Sequence, residues 1–199
     1  MNKSVFTTKY LVEMALLVAI ILLMAFTPIG YIRTAGLEIT LIVVPVAVGA
    51  VTLGPTAGAI LGAVFGITSF IQCFGMSPFG AVLLGINPIL TFLVCVPTRI
   101  LEGWLTGLIY RGLRRTKLPS DVSVTIASLC CPLLNTAFFM GALVTLFRGT
   151  MQELYGMTQV IPFIAMFVGV NGVIEAGVCF VVGAAVAIAL RRALRYSFG

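Results

Sequence analysis

The chain has 199 residues, 60% of them hydrophobic and only 9% charged, with a formal net charge of +6. Several apolar runs approach the roughly 20 residues a helix needs to cross a bilayer. They lack the ~10-residue alternation of an outer-membrane barrel. This excludes a soluble domain and predicts an all-α integral membrane protein, read as a single membrane domain over 1–199 built as a six-transmembrane-helix bundle.

The opening "MNKSVFTTKYLVEMALLVAIILLMAF" begins like a signal peptide. Its apolar run is long, and "AFTPIGYI" has no clear small-x-small cleavage site, so it is expected to stay attached as helix 1, about 10–27. Pro28 and Gly30 break that helix, and Arg33 and Glu38 mark an aqueous loop. Helix 2 is expected at about 38–53 and helix 3 at about 55–72, because Gly54 can close one helix and Pro55 can open the next. The segment "CFGMSPFGAVLLGINP" (73–88) is apolar yet rich in Gly and Pro, which suggests a loop packed over a cavity as a lid.

Helix 4, about 89–110, leads to the basic "YRGLRRTK" (110–117), helix 5 covers about 122–147, and "RGTMQELYGMTQ" (148–159) forms another loop. Helix 6, about 160–190, would extend ~46 Å at 1.5 Å per residue, beyond the ~30 Å hydrocarbon layer. It is expected to tilt, or to bend near Gly169 and Gly172.

The basic residues do not form one patch, which argues against a nucleic-acid partner. They precede helix 1 (Lys3, Lys9), follow helix 4, and close the chain in "RRALRYSFG". If these segments share a side, the positive-inside rule makes it the cytosol, with both termini there and an even number of spans.

Five cysteines without a CxxC, and no histidine at all, provide no metal or haem ligand set, and no cofactor is expected. There is no GxxxxGK[ST] loop, so the chain is not expected to hydrolyse ATP by itself. Without a Ser-His pair or HExxH, and with Asp121 as the only Asp, it is not read as an enzyme.

Polar residues inside the spans are costly, about 2.5–3.5 kcal/mol for a central charge on insertion scales, and so point to a purpose. Arg99 and Glu102 fall in helix 4, Asn87 at its mouth, Asn135 in helix 5, and Asn171 and Glu175 four apart on one face of helix 6. Two readings stay open. In one, Arg99 pairs with Glu102 or Glu175 and the amides hold helices together. In the other, the set lines a polar cavity opening outward between helices 4, 5 and 6.

Helices 2 and 3 carry almost no charge. Gly54, Gly58, Gly62 and Gly66 recur at four-residue spacing, the pattern of an internal packing face. Ala15 and Ala19 form a second, weaker small-residue pair on helix 1.

The order "ITLIVVPVAVGAVTLGPTAGAILGAVFGITSF" (39–70), "PTRILEGWLTGLIYRGL" (97–113), "NTAFFMG" (135–141) and "NGVIEA" (171–176) resembles the substrate-binding S components of energy-coupling factor (ECF) transporters. The first stretch is similar to the folate- and pantothenate-type branch, with Val44 where Ile or His is expected before Pro45. The resemblance implies a six-helix bundle in the cytoplasmic membrane of a prokaryote. It also implies an outward-facing vitamin site, and docking onto a shared ECF transmembrane coupling subunit driven by two ATPase subunits. The family's helix-1 docking motif looks like Ala15 and Ala19 here.

Arg99 suits a ligand carboxylate, and the Asn and Glu residues suit amides or hydroxyls. Pantothenate fits this inventory best. Folate or another vitamin, and a stand-alone small membrane facilitator or assembly protein, are the alternatives.

Overall fold

The computed structural model describes residues 7–27, 30–34 and 37–147 and the single positions 149, 177, 181 and 185, with the backbone alone at 31–34 and 37–39. Asn171, Glu175 and nearly all of the expected helix 6 lie outside the described residues.

The first helix, α1, covers Thr8–Ala25, and the Thr7 hydroxyl caps it by accepting from Tyr10 N at 3.3 Å. Apolar residues surround this helix, yet only Met14, Leu17, Ile21 and Ala25 are buried. They form one stripe at three- and four-residue spacing, and Leu11, Val12, Leu16 and Leu23 face outward. An outward apolar surface is what a bilayer favours. Among the described residues four helices are long and apolar enough to cross a membrane: α1, α3 (Pro55–Gln72), α5 (Pro88–Leu113) and α6 (Ser120–Leu146).

Between α1 and α3 the chain departs from the helix expected at about 38–53. Strands β1 (Tyr31–Thr34) and β2 (Leu37–Thr40) pair antiparallel, with Tyr31 opposite Thr40, and only then does α2 run from Val43 to Thr52. Pro45 accounts for the late start. Proline is tolerated in a helix's first turn, where no N–H is required, but clashes with the preceding turn when placed further in. The ten residues of α2 rise about 15 Å, about half a hydrocarbon layer. The hairpin before it pairs main-chain groups between its own two strands.

The expected lid segment also differs. Residues Pro78–Ile86 form a further helix, α4. Ser77 Oγ caps it from Gly80 N at 3.1 Å, and Pro78 occupies the first turn. Gly80 packs against Cys73, so two residues that read as helix breakers instead start a helix and allow a close approach.

Helices α3 and α5 form the centre of the bundle, and glycine sets their separation. A Cβ at Gly58 would run into the Gly103 carbonyl, one at Gly62 into the Arg99 carbonyl, and one at Gly66 would lie 2.7 Å from Val96 Cα. Gly103 and Gly107 reciprocate against Gly58 and Pro55. The two backbones therefore touch along an antiparallel seam. Gly54 is not part of it: with φ +102 and nothing near its would-be Cβ, it makes the α2–α3 turn. At the other end of α3, the buried Gln72 amide donates to the Ala25 carbonyl, one of the acceptors that the end of α1 leaves without a helical partner.

Thr116 follows α5 and Gly149 follows α6, both exposed. A cysteine introduced at Thr116 should be labelled by a membrane-impermeant maleimide only after permeabilisation, and one at Gly149 in intact cells. The opposite accessibility would reverse the orientation argued from the basic residues.

Candidate functional site

Arg99 stands eleven residues into α5, about 16 Å along its axis at 1.5 Å per residue, and is only 6% exposed. Its guanidinium carbon lies 5.1 Å from the Phe65 ring of α3 and 4.7 Å from the Phe139 ring of α6, close enough for both rings to attract the cation. The side chain turns toward the start of α5, as helical side chains do. Its Nη1 donates to Val94 O at 3.1 Å and to Thr98 Oγ1 at 3.3 Å.

Val94 O also accepts from Thr98 Oγ1 at 2.5 Å, so Thr98 bridges the guanidinium and that carbonyl. Both hydrogen bonds of Arg99 leave from Nη1, and among the described residues Nε has no acceptor. The Nε edge of a buried cation is therefore uncommitted within this part of the chain, an arrangement that fits a planar anion held by two parallel donors.

Glu102 does not serve as that anion, contrary to the pairing considered one turn along the helix. It is fully buried against α6 at a different level, where Cys131 Sγ, eight residues before Phe139 on the same helix, donates to its Oε1 at 3.3 Å. The reason is directional. Arg99 extends toward the N-terminal end of α5 while Glu102 lies toward the C-terminal end, so the two heads diverge.

Asn135 is buried on α6, one turn after Cys131 and one turn before Phe139. Those neighbours contact Glu102 and Arg99, and Asn135 shares their face. Asn87 is placed elsewhere. Its Oδ1 accepts from Ile89 N at 3.0 Å and Leu90 N at 3.2 Å, capping α5 about 18 Å from the level of Arg99. Thus α6 sets Asn135 one turn from Phe139, the ring that Arg99 contacts, and Asn87 stays at the mouth of α5.

Sequence reasoning did not single out Phe65 and Phe139. One signal was present for Phe139: it follows Asn135 by four positions in "NTAFF" and so stacks on the same helix face. Phe65 carried none, being one apolar residue among many in α3.

Ala15 and Ala19 are both exposed, on the outer side of α1 among large apolar residues. They form a shallow strip there, not a contact within the bundle. Residues 9–187 match the family described as ECF transporter, substrate-specific component. The comparison with curated proteins found no similar protein.

Proposed function

The chain belongs to the family of ECF transporter substrate-specific components, and from that premise we propose that it captures a vitamin or vitamin precursor, with pantothenate the best fit. Family membership makes it a membrane transport subunit, not an enzyme, working with the shared ECF transmembrane and ATPase components. The ligand site in this reading lies between α5, α6 and the expected helix 6. Arg99 reads the ligand carboxylate along its Nε edge, Asn135, Asn171 and Glu175 take amide or hydroxyl groups, and Asn87 stands at the mouth. In this proposal the bundle has six spans with both termini in the cytosol.

The observation that supports a carboxylate ligand is the buried Arg99, steadied by two rings and two hydrogen bonds from one nitrogen, with its Nε lacking an acceptor among the described residues. A cation so placed needs an anion, since an unpaired buried charge is strongly unfavourable. A thiamine-like cation would be repelled. The two rings beside Arg99 favour folate as the second reading, because an aromatic ligand can also stack there.

Docking is proposed to use Ala15 and Ala19. Their exposure supports this, because small side chains on an outer face let a partner helix approach closely.

One reconstitution tests both assignments. In liposomes the chain alone should bind pantothenate without moving it, and uptake should require the coupling subunit, both ATPases and ATP. Ala15→Trp with Ala19→Trp should abolish uptake while leaving affinity within about twofold, as bulky groups destroy a close helix contact. Uptake by the chain alone would identify a facilitator, and loss of binding in the Trp pair would place α1 in the ligand site.

A further inference from the structure

At the end of the bundle away from Arg99, the turn between α2 and α3 faces the last turns of α5 across a cavity of about 450 Å³. Thr52, Thr56, Tyr110, Arg111 and Arg114 contribute to its wall, and among the described residues no acidic one does. Both arginines are exposed, so their guanidinium groups retain access to a ligand from outside. Gly54 forms part of the wall without a side chain, and a Cβ there would meet no atom within 4 Å, which keeps the space open. The cavity lies about 18 Å along α5 from Arg99, twelve residues before Arg111, and is separate from the vitamin site proposed above.

The approach to the cavity has the profile of a membrane interface. Leu101 and Trp104 are 43% and 44% exposed on α5, and Arg111 follows Trp104 by seven residues, two turns along the same face. Apolar surface, then an amphipathic aromatic ring, then a cation is the order in which a bilayer changes from hydrocarbon to headgroup.

We propose that this cavity binds the phosphate of an anionic phospholipid, held by Arg111 and Arg114 beside Tyr110. Guanidinium groups form paired, charge-assisted hydrogen bonds to phosphate oxygens. The exposed apolar face of α5 gives the acyl chains a surface, which a soluble phosphate would not use.

Native mass spectrometry of the full chain, released from nanodiscs containing phosphatidylglycerol and phosphatidylcholine, tests this. One phosphatidylglycerol should be retained selectively. Arg111→Gln with Arg114→Gln should weaken its retention about 100-fold, about tenfold for each charge-assisted hydrogen bond lost. Arg115→Gln with Lys117→Gln removes the same charge from the same connection but outside the cavity wall, and should weaken it by a few fold only. Equal losses in the two pairs would show a diffuse basic surface and overturn the site. Protection of the chain against unfolding by millimolar inorganic phosphate, equal to that by phosphatidylglycerol, would replace the lipid with a free anion. Normal lipid retention by Arg111→Gln with Arg114→Gln, together with failed assembly with the coupling subunit, would assign the cavity to a protein partner and also overturn the proposal.

Discussion

Arg99→Ala is expected to weaken vitamin binding by about 30-fold or more, because removing one partner of a buried charge pair costs roughly 2–5 kcal/mol. The rings of Phe65 and Phe139 and the Val94 carbonyl all contact this guanidinium, so the variant also loses packing within the apo protein. The cation–π share of that loss is about 2 kcal/mol at a desolvated site. A single substitution therefore does not separate recognition from folding. If Glu175 is the natural counter-ion, Arg99→Ala leaves a buried acid unpaired and destabilises the protein by about 3–5 kcal/mol.

A double variant separates the two roles. Arg99→Met with Glu175→Gln removes both charges and keeps similar volume, so thermal stability should recover under either role. Ligand affinity, measured by isothermal titration on the detergent-solubilised chain, should remain about 30-fold down if Arg99 reads a carboxylate. Near wild-type affinity in that variant would reduce Arg99 to half of an internal ion pair, and the carboxylate site would be abandoned.

The second large effect is expected at the α3–α5 seam. Gly58→Leu forces a side chain into the space held by the Gly103 carbonyl, and the contact is backbone against backbone, which rotamer changes cannot relieve. Overpacking of this kind costs about 3 kcal/mol, the upper end of its usual range. Thermal unfolding in detergent should show a clear loss for Gly58→Leu. Gly112→Leu on α5 should show none, since nothing lies within 4 Å of its would-be Cβ. Equal stability of the two variants would mean that the close approach of these helices contributes nothing to the fold. Gly62 adds a link to recognition. It faces the Arg99 carbonyl, so Gly62→Ala displaces α5 at the level of the proposed site and should lower ligand affinity as well as stability.

Some features were legible because they depend on local chemistry. The four long apolar helices follow from run length against bilayer thickness. The packing face of Gly58, Gly62 and Gly66 follows from small residues at four-residue spacing, which has few other uses in a helix. The burial of Arg99 follows from its depth in α5. The hairpin 31–40 and helix α4 were not legible, for opposite reasons. The hairpin is short and adjoins an apolar run that any periodicity reading extends backward. In α4 the prolines and glycines that normally signal a loop stand at the helix start and at a close contact, and only the folded neighbour Cys73 distinguishes the two uses.

The sequence by itself determined that this is a membrane protein with charged and amide side chains deep in its spans, because transfer energies act on each residue separately. Only the tertiary structure decided how those groups are arranged. Three residues of spacing made Glu102 a natural partner for Arg99, yet Phe65 and Phe139 hold the guanidinium at one level of the bundle and Cys131 meets the acid at another. Helix periodicity gives the face from which a side chain leaves. The neighbouring helices, by offering a ring, a carbonyl or a thiol, select the direction it then takes.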